Sequence, residues 1–161
     1  MYFCKATIFM ACKEYKKAIS FFRKTLKTKP YNIEIYFFES YRDIGECLYQ
    51  LEEYDLAIIS FKLALKRNPR SFKIHYTLGL INKHFDRYDQ AIQNFIEANK
   101  INPYHKEGVD NLKFCHCKKI QEESWEGNLK ESQNKDKIIR KKILISDICN
   151  KVNTDFDIIC L

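Results

Sequence analysis

The sequence predicts an all-α fold, built as a solenoid of stacked helix pairs. Two observations point there. Part of the chain repeats itself at a period of 34 residues. Turn formers are scarce, with 4 Gly and 3 Pro in 161 residues. A sheet-rich fold needs more of both at its turns, so helices joined by short connections are favoured.

The clearest copies are 41–69 and 75–103, with Pro69 and Pro103 in register. At the same offset Gly45 matches Gly79, Ile44 matches Leu78 and Tyr54 matches Tyr88. Ala57 then matches Ala91, Phe61 matches Phe95, Ala64 matches Ala98, and Tyr41 stands over His75. A recurrence of this length is the mark of a repeat architecture, in which one helix pair cannot bury its apolar face alone and stacking supplies the core.

These residues resemble the tetratricopeptide-repeat family. Its pattern has a large residue, a Leu-Gly pair, an aromatic, small Ala residues around a second aromatic, and a closing Pro. His75, in place of an aromatic, and Leu48 and Asn82 at the eleventh position depart from it. The resemblance covers roughly residues 1–122 and implies a right-handed superhelix. In it, Gly45 and Gly79 are expected where the two backbones of a pair come closest. Tyr41, Phe61, Leu78 and Phe95 are expected to fill the space between repeats. Pro69 and Pro103 are expected to stop the second helices, because Pro lacks an N–H and restricts the residue before it.

The elements follow in order. Repeats are expected at about 1–32, 33–71 and 72–105 within a domain spanning 1–123. The first carries Tyr15, Ala18, Phe22 and Pro30, with Thr25 where Ala is expected. Its first helix would start at Met1 without an N-cap, so either upstream repeats are missing or the helix frays. The second has five extra residues. Asn32 is a candidate N-cap for a helix starting about a turn early, the alternative being a longer loop. A capping helix is expected over 106–123, with Val109 and Leu112 on its apolar face. A linker follows at 124–134, then an amphipathic helix at 135–152 rich in Ile among basic residues, then a tail at 153–161. That helix is expected to pack back on the repeats; a partner-binding and a membrane-surface role are the alternatives.

The resemblance further implies that the first helix of each repeat lines a concave groove. The partner-binding residues expected there are Arg42, Glu46, Tyr49, Lys73, Tyr76, Thr77, Leu80, Lys83, His84 and Phe114. Glu39, Asp43, Gln50, Glu107, Asp110, Asn111 and Lys118 belong to the same face. So do Phe3, Cys4, Thr7, Met10 and Ala11 at the front. Such a mixed surface suits a peptide or helical segment of mixed charge from a partner protein. Some family members hold the acidic C-terminus of heat-shock chaperones in a clamp of Lys, Asn and Arg. The matching positions here are Phe3, Thr7, Asp43, Lys73 and Thr77, or Arg42, Glu46, Thr77, Glu107 and Asn111. Neither set is that clamp.

Other classes are disfavoured. The net charge of +7 is uneven: residues 1–34 carry +6, 35–69 carry −2 and 70–161 carry +3. No nucleic-acid module accompanies it. Cys115, His116 and Cys117 are adjacent on one helix and point different ways, so a metal site is not expected. The four His residues show no catalytic arrangement, and no Gly-rich phosphate loop is present. The chain therefore reads as a non-enzymatic scaffold or adaptor, without cofactor or small-molecule substrate, with a place in a multi-protein complex. Its seven cysteines form no framework and read as reduced thiols of a cytoplasmic protein. No run reaches the length of a membrane span. A client-shielding chaperone, or a fragment of a larger repeat-containing assembly subunit, is the alternative function.

Overall fold

The computed structural model describes residues 1–28, 33–125 and 140. The chain forms two compact units, Met1–His116 and Cys117–Leu161. The first contains α1 (Tyr2–Ala11), α2 (Tyr15–Lys27), α3 (Ile33–Gln50), α4 (Tyr54–Leu65), α5 (Phe72–His84), α6 (Tyr88–Ile101) and α7 (106–116). In the second, 117–125 and Arg140 are helical. There is no strand among the described residues. The protein is an α-solenoid: α1/α2, α3/α4 and α5/α6 are antiparallel pairs, and α7 begins where a fourth pair would. Asn32, the linker beyond Trp125, most of the helix expected over 135–152 and the tail 153–161 lie outside the described residues.

Every pair turns on the same backbone device. Lys13, Glu52 and Asp86 have φ of 60, 61 and 54°. The N–H of Lys13 donates to Met10 C=O and that of Glu14 to Phe9 C=O. Glu52 and Glu53 bond likewise to Tyr49 and Leu48, and Asp86 and Arg87 to Lys83 and Asn82. A helix closed by one left-handed residue has this double bonding. The front pair, whose sequence carries the repeat least clearly, thus turns as the others do. None of the three left-handed residues is Gly. A non-Gly residue there costs about 1–2 kcal/mol, and the extra freedom of an unfolded Gly returns about 0.5–1 kcal/mol of that. Lys13→Gly and Glu52→Gly are each expected to gain about 0.5 kcal/mol, the difference between those terms. Asp86→Gly gains nothing, because the Asp86 carboxylate accepts the Tyr88 hydroxyl at 2.6 Å. Urea midpoints that fall in both glycine variants would contradict this.

Small residues make the core thin enough to stack. Ala6, Ala18, Ala57, Ala64, Ala91 and Ala98 are all fully buried. Phe22, Phe61 and Phe95 are the largest buried side chains, one on the second helix of each pair. The repeat glycines act differently from the expectation. A Cβ on Gly45 would lie 2.7 Å from Phe61 Cδ1, and one on Gly79 would lie 2.6 Å from Phe95 Cε1. Each glycine makes room for a phenylalanine ring of its own pair, not for backbone against backbone. Phe61 and Phe95 correspondingly fill space within a pair as well as between pairs.

α4 ends at Leu65; beyond it Lys66 and Asn68 still donate to the carbonyls four residues back, of Lys62 and Ala64, and Arg67 makes a tighter bond to Ala64. Pro69 has no N–H to give the Leu65 carbonyl, so the helical bonding cannot run on through it. His75, the replacement for the aromatic, sets its Nε2 2.8 Å from the Pro69 carbonyl oxygen. α3 starts more than a turn earlier than α5 does when their repeats are aligned at Phe38 and Phe72. α7 closes the stack: Cys115 is fully buried with Tyr88, Ala91, Ile92 and Phe95, and Leu112 packs beside them.

Cys4, Cys12 and Cys117 are exposed free thiols, while Cys47 and Cys115 are buried. Burial pushes the Cys47 thiol up to about 12 from 9.0, and nearby Asp43 and Glu46 add to it. The folded chain keeps this proton where the unfolded chain loses it, so stability falls as pH rises from about 9 towards 12. Thiol alkylation at pH 8 with peptide mapping is expected to modify Cys4, Cys12 and Cys117 and to spare Cys47 until urea is added. Labelling of native Cys47 at the same rate as Cys4 would refute its placement.

Candidate protein-binding face

The first helix of each pair carries the residues expected in the groove, and these helices are tied to one another side by side. Phe3 of α1 meets Tyr36 of α3 edge-on, with ring centroids 5.4 Å apart. Lys73 Nζ of α5 lies 3.2 Å from Glu46 Oε2 of α3. Tyr76 of α5 donates its hydroxyl to Glu107 Oε2 of α7 at 3.2 Å, and the Tyr76 hydroxyl oxygen accepts from Asn111 Nδ2 at 3.2 Å. Lys83 Nζ donates to Asn111 Oδ1 at 2.7 Å and sits 4.4 Å over the Phe114 ring. These links join side chains roughly one repeat apart in sequence, so the repeat itself puts them together.

The ten expected residues do not behave alike. Arg42 is half-buried, with its Nε donating to Asp43 Oδ1 at 2.7 Å and its guanidinium over Phe38. Tyr49 is half-buried against Tyr54, and burial raises its pKa, with Tyr54 and Glu46 adding. Tyr76 packs on Phe72, Phe95 and His105; burial and its bond to Glu107 raise its pKa too. Leu80 is partly buried against the cluster of α6, and Phe114 is 42% exposed. Thr77 stands apart: it is buried, and its hydroxyl is bonded to the Lys73 carbonyl at 2.9 Å. Asp43, one repeat earlier, is buried as well. That column of the repeat faces the neighbouring helix more than the open surface. His84 is exposed but belongs to an aromatic group with Tyr54 and Phe85, at 5.2 and 5.0 Å.

Sequence reasoning missed that group. Phe85 is the last residue before the left-handed turn at Asp86 and is 43% exposed. The signal was an aromatic where the other two turns have Cys12 and Leu51. Cys115 and Cys117 differ in kind, one buried and one exposed. Among the described residues no group of three potential ligands is gathered at one place. No helix among them is long and apolar enough to cross a membrane.

The tetratricopeptide repeat matches residues 38–71 and 72–105. The chain is similar in structure to the C-terminal repeat-containing domain of an FK506-binding protein of Plasmodium falciparum. The two share 18% identity over 76% of this chain and 89% of that one, with a TM-score of 0.66. It is also similar to the Hsp90 co-chaperone Cns1 of Saccharomyces cerevisiae. There the identity is 18%, the coverage 83% of this chain and 43% of that one, and the TM-score 0.68. The first repeat domain of Spaghetti, solved with an HSP90 peptide, gives 16% identity over 71% of this chain and 87% of that one, with a TM-score of 0.62. At such identities the likeness is one of fold. The period, the glycine–phenylalanine contacts, the recurring turn and these matches agree: the chain carries two tetratricopeptide repeats, over residues 38–71 and 72–105.

Proposed function

We infer that the face formed by α1, α3, α5 and α7 binds a peptide or helix of another protein, making this chain a scaffold or adaptor. The observation that carries it is two sets of bonds between neighbouring helices of the face, Glu46 with Lys73 and Tyr76 with Asn111 and Lys83. Their members hold one another in place, so the surface is organised before any ligand arrives, which lowers the ordering cost of binding. Between them Tyr49, Leu80 and Phe114 offer partly exposed apolar surface, the usual composition of a groove that takes alternate side chains of a segment. Repeat proteins of this fold act generally as non-enzymatic interaction scaffolds, and the neighbour solved with a bound peptide is consistent with such a role here. The cytoplasm is the compartment that suits free exposed cysteines.

The test places a photo-crosslinking residue at Leu80 or Phe114 and compares captured proteins with those from a chain labelled on the outer face at Arg23. Proteins cross-linked from the groove, and lost in a Leu80→Asp/Phe114→Asp chain of unchanged circular dichroism, are groove partners. Identical capture profiles from both faces would sink the assignment.

A further inference from the structure

We propose that the occupant of this face is a basic amphipathic segment, one that sets an apolar side chain on Leu80 and Phe114 and lysine or arginine against Glu39, Glu107 and Asp110. This rests on the groove assignment above and goes further by giving the partner its charge.

Three cations of the face, Arg42, Lys73 and Lys83, are already engaged, and so is Lys118 beyond them. Arg42 is bonded to Asp43 at 2.7 Å and Lys73 to Glu46 at 3.2 Å. Lys83 gives its ammonium to the Asn111 amide and the Phe114 ring. The acids outnumber them. Among the described residues, no basic side chain forms an ion pair with Glu39, Glu107 or Asp110. Glu107 takes only the neutral Tyr76 hydroxyl, and Glu107 and Asp110 are exposed. A carboxylate-rich ligand entering here would have to displace Asp43 or Glu46 from their cations while meeting three further carboxylates. A basic ligand meets those carboxylates directly and leaves the existing pairs intact. Like-charge contact at an interface is a strong bar, and complementary charge selects and orients the partner. In the repeat column Glu39, Lys73 and Glu107, two of the three positions are acids.

The whole-chain field makes the test decisive, because it points the other way. A net charge of +7 attracts acidic ligands in general, so a preference for a basic one has to come from a local site. Two fluorescent amphipathic helices of about five turns are prepared with the same Leu-rich face, one with lysine and one with glutamate on the polar face. Binding to the full chain is followed by anisotropy at low and high salt. The lysine helix is expected to bind at least tenfold tighter and to weaken with salt. Glu107→Gln with Asp110→Asn, checked for unchanged circular dichroism, is expected to remove most of that preference, and Glu107→Lys with Asp110→Lys to reverse it. Equal binding of both helices, abolished by Leu80→Asp, would overturn the charge assignment while leaving the groove standing. Binding of neither helix, or binding that Leu80→Asp leaves untouched, would overturn both. A lysine preference indifferent to the Glu107 and Asp110 variants would also overturn the proposal.

Discussion

Phe61→Ala is expected to cost about 3–5 kcal/mol of stability, the usual range for emptying a buried aromatic site. The ring is 1% exposed and lies on Gly45 at the centre of the core cluster that runs from Ala6 to Ile81. Its neighbours are short: Ala57 and Ala64 on its own helix and Gly45 opposite. None of them can extend into the space left behind, so the cavity stays. Domains commonly have about 5–15 kcal/mol in total, so this single change removes a large share. Urea unfolding monitored by far-ultraviolet circular dichroism measures it. In a stack, each pair is stable only through its neighbours, and loss of the middle one is expected to lower the whole transition. A cost under about 1 kcal/mol, the level of an ordinary surface change, would mean that the ring is not wedged as described.

Gly79→Ala is expected to destabilise by about 1–3 kcal/mol, the range for overpacking a filled core. The sign is informative, since the same change at an open helix position gains about 1 kcal/mol from propensity. The added methyl would stand 2.6 Å from Phe95 Cε1, 2.7 Å from Cδ1 and 2.9 Å from Cζ. Carbon atoms prefer about 3.5–4.0 Å, so the ring has to move. Phe95 is fully buried and touches Tyr76, which leaves it nowhere to go without disturbing α5 and α7. Gly79→Leu should cost more. Phe95→Leu introduced together with Gly79→Ala should recover part of the loss, giving a coupling of about 0.5–3 kcal/mol in a double-mutant cycle. Strict additivity of the two changes, or a rise in Tm for Gly79→Ala alone, would refute the contact.

Much of the architecture was legible before any coordinates. Gly45, Ala57, Phe61 and Ala64 recur as Gly79, Ala91, Phe95 and Ala98 because each pair solves the same packing problem, and a repeated local solution leaves a repeated sequence. The purpose of the glycines was not legible. Spacing shows that small and large residues alternate, but not whether the small one admits a backbone or a ring. The groove was half legible. A column of the repeat predicts which helix side a residue occupies. It does not predict that Thr77 would turn its hydroxyl to the Lys73 carbonyl, or that His84 would join Tyr54 and Phe85. Those outcomes depend on rotamers and on the rotation between successive pairs, neither of which is written in a period.

Taken alone, the chain of amino acids determined the helical class, the unit of 34 residues, the buried aromatic of each unit and the helices that carry the proposed binding face. Each of these follows from residue size and spacing along one helix pair. Only the stacked arrangement decided which polar and charged side chains are bonded to one another. Glu46 with Lys73, Tyr76 with Glu107 and Lys83 with Asn111 are distant in sequence and meet because one pair is set against the next. The charge left over on the face is therefore a property of the assembled stack.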